Sequence, residues 1–102
     1  MKALVCDSYG AVDALAVRDI DVPVPGARQV RIAVHAASLN FPDALIVQGL
    51  YQVKPPLPFV PGLEYAGVVD AVGADVKRVK PGDRVVAFGL GGFAEQALAD
   101  EG

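Results

Sequence analysis

Hydrophobic and polar positions alternate most cleanly from Gln29 to Ala37, where Val30, Ile32, Val34 and Ala36 share one face and Arg31 and His35 the other. That period of two predicts a half-buried strand with His35 pointing away from the core. Lys2-Ala3-Leu4-Val5-Cys6 predicts an opening strand, and Leu15 to Ile20 a weaker second one that Pro23 and Pro25 stop. Pro25-Gly26-Ala27-Arg28 then turns the chain. Between Leu39 and Gly49 the punctuation is that of one short helix: Asn40 ahead, Pro42 and Asp43 in the first turn, Gly49 at the end. Pro55, Pro56, Pro58 and Pro61 hold the next stretch extended. A long, glycine-loosened strand follows over 62–73. Lys80-Pro81-Gly82-Asp83 has the residues of a type II turn, Arg84 to Phe88 reads as a strand, and Phe93 to Leu98 as one more. Short strands between turn residues predict a mainly β fold, a partly open barrel with one or two short helices.

Length and composition narrow this further. A chain of 102 residues, 53% hydrophobic and 21% charged, is one globular domain, residues 1–102. A net charge of −3 argues against a nucleic-acid partner, since phosphate binding needs a field of Lys and Arg; Lys77, Arg78, Lys80 and Arg84 read as a solvated face beside a turn. No apolar run has the length of a signal sequence or a membrane span. Cys6 is the sole cysteine, which leaves no internal disulfide and no cysteine-based zinc cluster, and makes a reducing cytoplasm the expected setting.

Local motifs carry little chemistry. Gly89-Leu90-Gly91-Gly92-Phe93-Ala94 matches a variant of the dinucleotide fingerprint, but a fingerprint opens a helix and has an acidic residue about 20 positions on, and only eight residues follow Ala94. It is read as a hairpin turn. His35 has no second His or Cys with which to share a metal. Asp19 with Asp21, and Asp100 with Glu101, look like solvated ends.

A longer pattern says more. Leu39-Asn40-Phe41-Pro42-Asp43, Gly49-Leu50-Tyr51, the run Pro58 to Val69, Val72-Gly73 and Lys80-Pro81-Gly82-Asp83-Arg84-Val85 together resemble the medium-chain dehydrogenase/reductase superfamily, and within it the quinone oxidoreductases of the zeta-crystallin-like branch. The resemblance implies a GroES-like β-barrel catalytic domain. In a complete enzyme it implies a following Rossmann domain, outside these 102 residues, that binds NADPH in the cleft between the two. Zinc-dependent alcohol dehydrogenases of the superfamily have Cys at the place of Asn40 and His at that of Leu63, so the resemblance implies no zinc and no other metal. It places Asn40, Asp43 and Tyr51 at the nicotinamide and substrate end, with Asn40 and Tyr51 as catalytic candidates and Asn40 and Asp43 as cofactor-binding ones. Phe41, Leu63 and Tyr65 become the walls of the substrate pocket. Each polar residue also has a plainer role: Asn40 as helix cap, Asp43 as an anion at the positive helix end, Tyr51 as core with its hydroxyl tied off.

The implied reaction is hydride transfer from NADPH to a small-molecule quinone or α,β-unsaturated carbonyl, catalysed by a cytoplasmic homodimer with no nucleic-acid or membrane partner. The 102 residues alone are expected to be inactive. Two other readings share the fold: a co-chaperonin-like protein, which needs a long flexible early loop where Val22 to Arg28 is short and proline-stiffened, and a stand-alone non-catalytic module.

Overall fold

The computed structural model describes residues 1–52 and 54–101. In chain order the elements are β1 (Lys2–Val5), a 3-10 turn (Val12–Ala14), β2 (Ala16–Asp19), β3 (Gln29–Ala37), α1 (Phe41–Val47), β4 (Glu64–Val72), β5 (Arg84–Phe88) and β6 (Gln96–Asp100). β1 and β2 form an antiparallel pair, and the other four strands form an antiparallel sheet in the order β5-β4-β3-β6. An isolated bridge from Ala3 to Ala94 ties β1 to the chain just before β6, and one from Cys6 to Phe59 ties the residue after β1 to the segment that leads into β4. Among the described residues no pairing joins β5 to the small sheet, so the barrel is partly open, as expected.

Alternation places the core. Val30 and Ile32 from β3, Tyr65 and Val69 from β4, Ala87 from β5 and Ala97 from β6 pack together, with Val34, Val72 and Val85 against them. Across β4 the buried positions Tyr65, Gly67 and Val69 recur at every second residue, so one face is sealed and the other open. His35 is exposed, as its side of the strand predicts, but Ala36, expected inward, is exposed too. The cause is a β-bulge. Val34 pairs with Gly67 and Ala36 with Ala66, which leaves His35 unmatched and shifts the alternation by one.

A second bulge lies on the opposite strand. Arg31 pairs with Ala71 and Ile32 with Val69, leaving Asp70 as the extra residue of β4. Its carboxylate is put to use: Arg31 Nε donates to Oδ1 at 2.7 Å and Gln96 Nε2 to Oδ2 at 2.6 Å, a clamp over β4, β3 and β6.

The turns follow their residues. Gly82 has φ +98° and Asp83 N–H donates to Lys80 O at 3.1 Å, while the Asp83 carboxylate accepts from Lys80 N–H at 3.0 Å. The last strand departs from expectation, beginning at Gln96 and not at Phe93. Residues 93–95 act as a suture: Leu4 N–H donates to Phe93 O, Glu95 N–H to Lys2 O and Val34 N–H to Glu95 O. Their backbone groups are spent joining β1 to the large sheet before β6 begins.

Candidate functional site

One end of the large sheet gathers the residues singled out by the sequence. β3 finishes at Ala37, and Ser38 N–H donates to Glu64 O at 3.1 Å, which fixes the exit of β3 against the entry of β4. Glu64 stands opposite Phe88, and Gly89 N–H donates to Leu63 O at 2.8 Å. The segment Ser38 to Asn40, the start of β4 and the end of β5 therefore share one rim.

Asn40 sits on this rim as the N-cap of α1, extended at φ −117° and ψ 161°. Pro42 follows in the first turn, where a missing N–H costs nothing. The Asp43 carboxylate reaches back, its Oδ2 accepting from Asn40 N–H at 2.7 Å, and Asp43 N–H donates to Asn40 O at 3.0 Å. At the other end Gly49, with φ +73°, donates to Ile46 O, and Leu50 N–H donates to Leu45 O, the paired bonds of a Schellman stop. Ile46 and Val47 face the core. The seven-residue helix is thus fastened at both ends, with Asn40 at its head.

The Asn40 carboxamide is held as well: Nδ2 donates to Ser38 Oγ at 3.1 Å. Ser38 is exposed and was missed in the sequence, since a serine just past a strand carries no local signature.

The remaining expectations divide. Asp43 is only 3% exposed, with one oxygen on the Asn40 backbone and the other, Oδ1, buried without a hydrogen-bond partner among the described residues, so it lies beneath the rim instead of on it. Phe41 is 81% exposed and Leu63 half-buried, both beside Asn40's end of the fold. Tyr51 is half-buried just after the helix stop, and no hydrogen bond among the described residues joins it to Asn40. Tyr65, expected in the pocket wall, is deeply buried. It underlies a groove of 300 Å³ formed with Ala36, Ala37, Ser38, Glu64 and Val86, but at 2% exposure it supports that groove and offers almost no surface to a ligand. Its hydroxyl is already committed to Leu98 O.

Two chemical fits can be judged from the donor set. For zinc, Asn40 offers a weakly coordinating amide and Leu63 nothing, and among the described residues no three His, Cys, Asp or Glu side chains come together. For a dinucleotide, the stretch Gly89 to Ala94 runs into the β1 suture and opens no helix, so the backbone cradle for a pyrophosphate is not formed there. What the rim does offer is neutral hydrogen-bond donors beside exposed apolar surface.

Comparison with known proteins agrees with this architecture. The family model for the alcohol dehydrogenase GroES-like domain matches residues 26–102. Quinone oxidoreductase-like protein 2 of Rattus norvegicus is 46% identical over 103 residues, covering 98% of this chain and 28% of the rat protein. Human quinone oxidoreductase is 43% identical over 102 residues, covering 97% of this chain and 31% of its own. Among solved structures, the quinone oxidoreductase of Escherichia coli in complex with NADPH superposes with a TM-score of 0.87 at 33% identity, over 96% of this chain and 30% of that one. The chain belongs to the alcohol dehydrogenase GroES-like domain family, in the quinone oxidoreductase branch of the medium-chain dehydrogenases/reductases. It spans about 30% of the length of these relatives.

Proposed function

We propose that this chain is the catalytic domain of a zinc-independent, NADPH-dependent reductase of quinones or α,β-unsaturated carbonyls. The observation that carries the reading is the held carboxamide of Asn40: a neutral donor, fixed at backbone and side chain, on an open rim where zinc-dependent relatives keep a metal ligand. Support comes from the 46% and 43% identity to quinone oxidoreductases and from the NADPH complex of the Escherichia coli protein.

When bound, NADPH supplies a hydride; with one proton it converts a quinone to a hydroquinone and leaves NADP⁺. The residues of this chain act at the acceptor end. Negative charge builds on an oxygen conjugated to the carbon that receives the hydride, and we assign the Asn40 amide and the Tyr51 hydroxyl as donors to it. Asp43 contributes through Asn40, by holding its backbone. Phe41 and Leu63 give a flat acceptor apolar contact. A simple alcohol differs in that its oxidation passes through an alkoxide, which zinc stabilises by its charge and neutral donors do not. The nucleotide's pyrophosphate is assigned to chain beyond these residues, so the 102 residues alone neither bind NADPH tightly nor turn over. A cytoplasmic homodimer is part of the same proposal. Among the described residues no helix is long and apolar enough to cross a membrane.

The test is steady-state activity of the full-length protein on a quinone, an enone and a primary alcohol, with elemental analysis of protein purified without chelators. Expected are NADPH-dependent reduction of the first two, negligible alcohol oxidation and no stoichiometric zinc. Asn40→Ala and Tyr51→Phe should each lower turnover about 100- to 1,000-fold, the usual cost of a preorganised oxyanion donor. Efficient metal-independent alcohol oxidation, or stoichiometric zinc, overturns the assignment.

A further inference from the structure

We infer that Ser38 is the positioning residue that aims the Asn40 carboxamide, an inference that rests on Asn40 acting as donor to the acceptor oxygen. An asparagine side chain on an open rim has two free torsions, the second of them broad, so an unheld amide samples many directions. Here three contacts remove that freedom in sequence. Glu64 O accepts from Ser38 N–H at 3.1 Å and ties the serine to the entry of β4. Asp43 Oδ2 accepts from Asn40 N–H at 2.7 Å and ties the asparagine backbone to the helix. Ser38 Oγ then accepts from Asn40 Nδ2 at 3.1 Å and sets the plane of the amide.

The donor count explains why serine suits this place. A primary amide carries two N–H bonds, and spending one on Ser38 leaves the other pointing about 120° away, available to an incoming oxygen. Ser38 uses only a lone pair in the contact, so its own O–H stays free on the same rim. Alanine at 38 would leave the amide unheld; threonine keeps the hydroxyl. Ser38 is exposed and borders the 300 Å³ groove, so changing it disturbs no packed side chain and the fold is expected to survive the substitution.

The experiment is steady-state reduction of para-benzoquinone by the full-length protein and its Ser38→Ala, Ser38→Thr, Asn40→Ala and Ser38→Ala/Asn40→Ala variants, with a thermal melt of each. Ser38→Ala should lower kcat about 3- to 10-fold, the worth of one ordinary hydrogen bond. KM should stay within about twofold, because the loss falls on the transition state. Ser38→Thr should recover most of the activity, the melts of both Ser38 variants should match the parent, and Ser38→Ala should add nothing once Asn40 is alanine. Parental turnover in Ser38→Ala alongside an impaired Asn40→Ala overturns the positioning role alone. A full additional loss in the double variant also overturns it, since Ser38 would then act without Asn40. Parental turnover in Asn40→Ala overturns the assignment of Asn40, and the role of Ser38 with it.

Discussion

The hydroxyl of Tyr65 donates to the carbonyl of Leu98 at 3.2 Å, spanning from β4 past the neighbouring β3 to the edge strand β6. Burial pushes the phenol's pKa up, because the phenolate is the form that desolvation penalises. Tyr65→Phe keeps the ring and removes the latch. Denaturant melts should show a loss of about 1 kcal/mol, with KM for a quinone unchanged. A raised KM with a parental melt would return Tyr65 to the pocket wall.

Gly67 has no room for a side chain. A Cβ built there lies 2.0 Å from the carbonyl oxygen of Ala33, a backbone atom of the paired strand that cannot swing aside. Gly67→Ala must part β3 from β4 in the middle of the sheet, and a loss of about 4 kcal/mol or more is expected, seen as insoluble or unfolded protein. A well-folded Gly67→Ala with a parental melt would show that the strands yield more easily than this contact implies.

Asp43 combines a cap with a buried, half-used carboxylate. Asp43→Ala removes the bond to Asn40 N–H and should cost about 1 kcal/mol by denaturant melt. Asp43→Asn retains one acceptor oxygen and should cost less. If the two variants are equally stable, the bond to Asn40 is not what Asp43 contributes.

Acid stability should depend on two surface carboxylates. Glu101 Oε2 accepts from the backbone N–H groups of Arg78 and Lys77, and these bonds hold its pKa below the ordinary 4.5. Asp83, bonded to Lys80 at backbone and side chain, is likewise held below 3.8. Each binds its proton less readily folded than unfolded, so its contribution is complete above those ordinary values and is lost as pH falls through the lowered ones. Melts taken from neutral pH downward should show the parent losing stability at the acid end, and Glu101→Gln a shallower loss there. An unchanged acid limb in Glu101→Gln would remove Glu101 from the account.

Much of the fold is legible in residue order because local rules and the final packing agree. β3 and β5 match their expected bounds, β3 through its alternation after the Pro25-Gly26 turn and β5 as an apolar run between Pro81-Gly82 and Gly89. The helix matches through Asn40, Pro42, Asp43 and Gly49, each answering a backbone need of its own position. The start of β6 was misread because Phe93 to Glu95 bond to β1, some 90 positions earlier in sequence, and no local property records that pairing. The burial of Tyr65 is visible in the phase it shares with Gly67 and Val69; its place in the pocket wall came from resemblance. Asn40 came from resemblance, and Ser38 only from three dimensions.

The extra residues Asp70 and His35 sit on opposite strands, and the second undoes the first. Pairing slips by one at Asp70, runs offset from Ile32 to Val34, and returns to its original offset at Ala36 with Ala66 and Ala37 with Tyr65. Ser38 therefore meets Glu64 in the same frame that Val30 shares with Val72. Because each extra residue is unmatched, deleting His35 would leave Val34 facing Gly67 and Ala36 facing Ala66, and deleting Asp70 would leave Arg31 facing Ala71 and Ile32 facing Val69. What the two insertions add is local, a bend and extra twist in the ribbon, and at Asp70 the carboxylate that Arg31 and Gln96 share. The curl of the sheet is thus written in two residues that the ladder itself does not need.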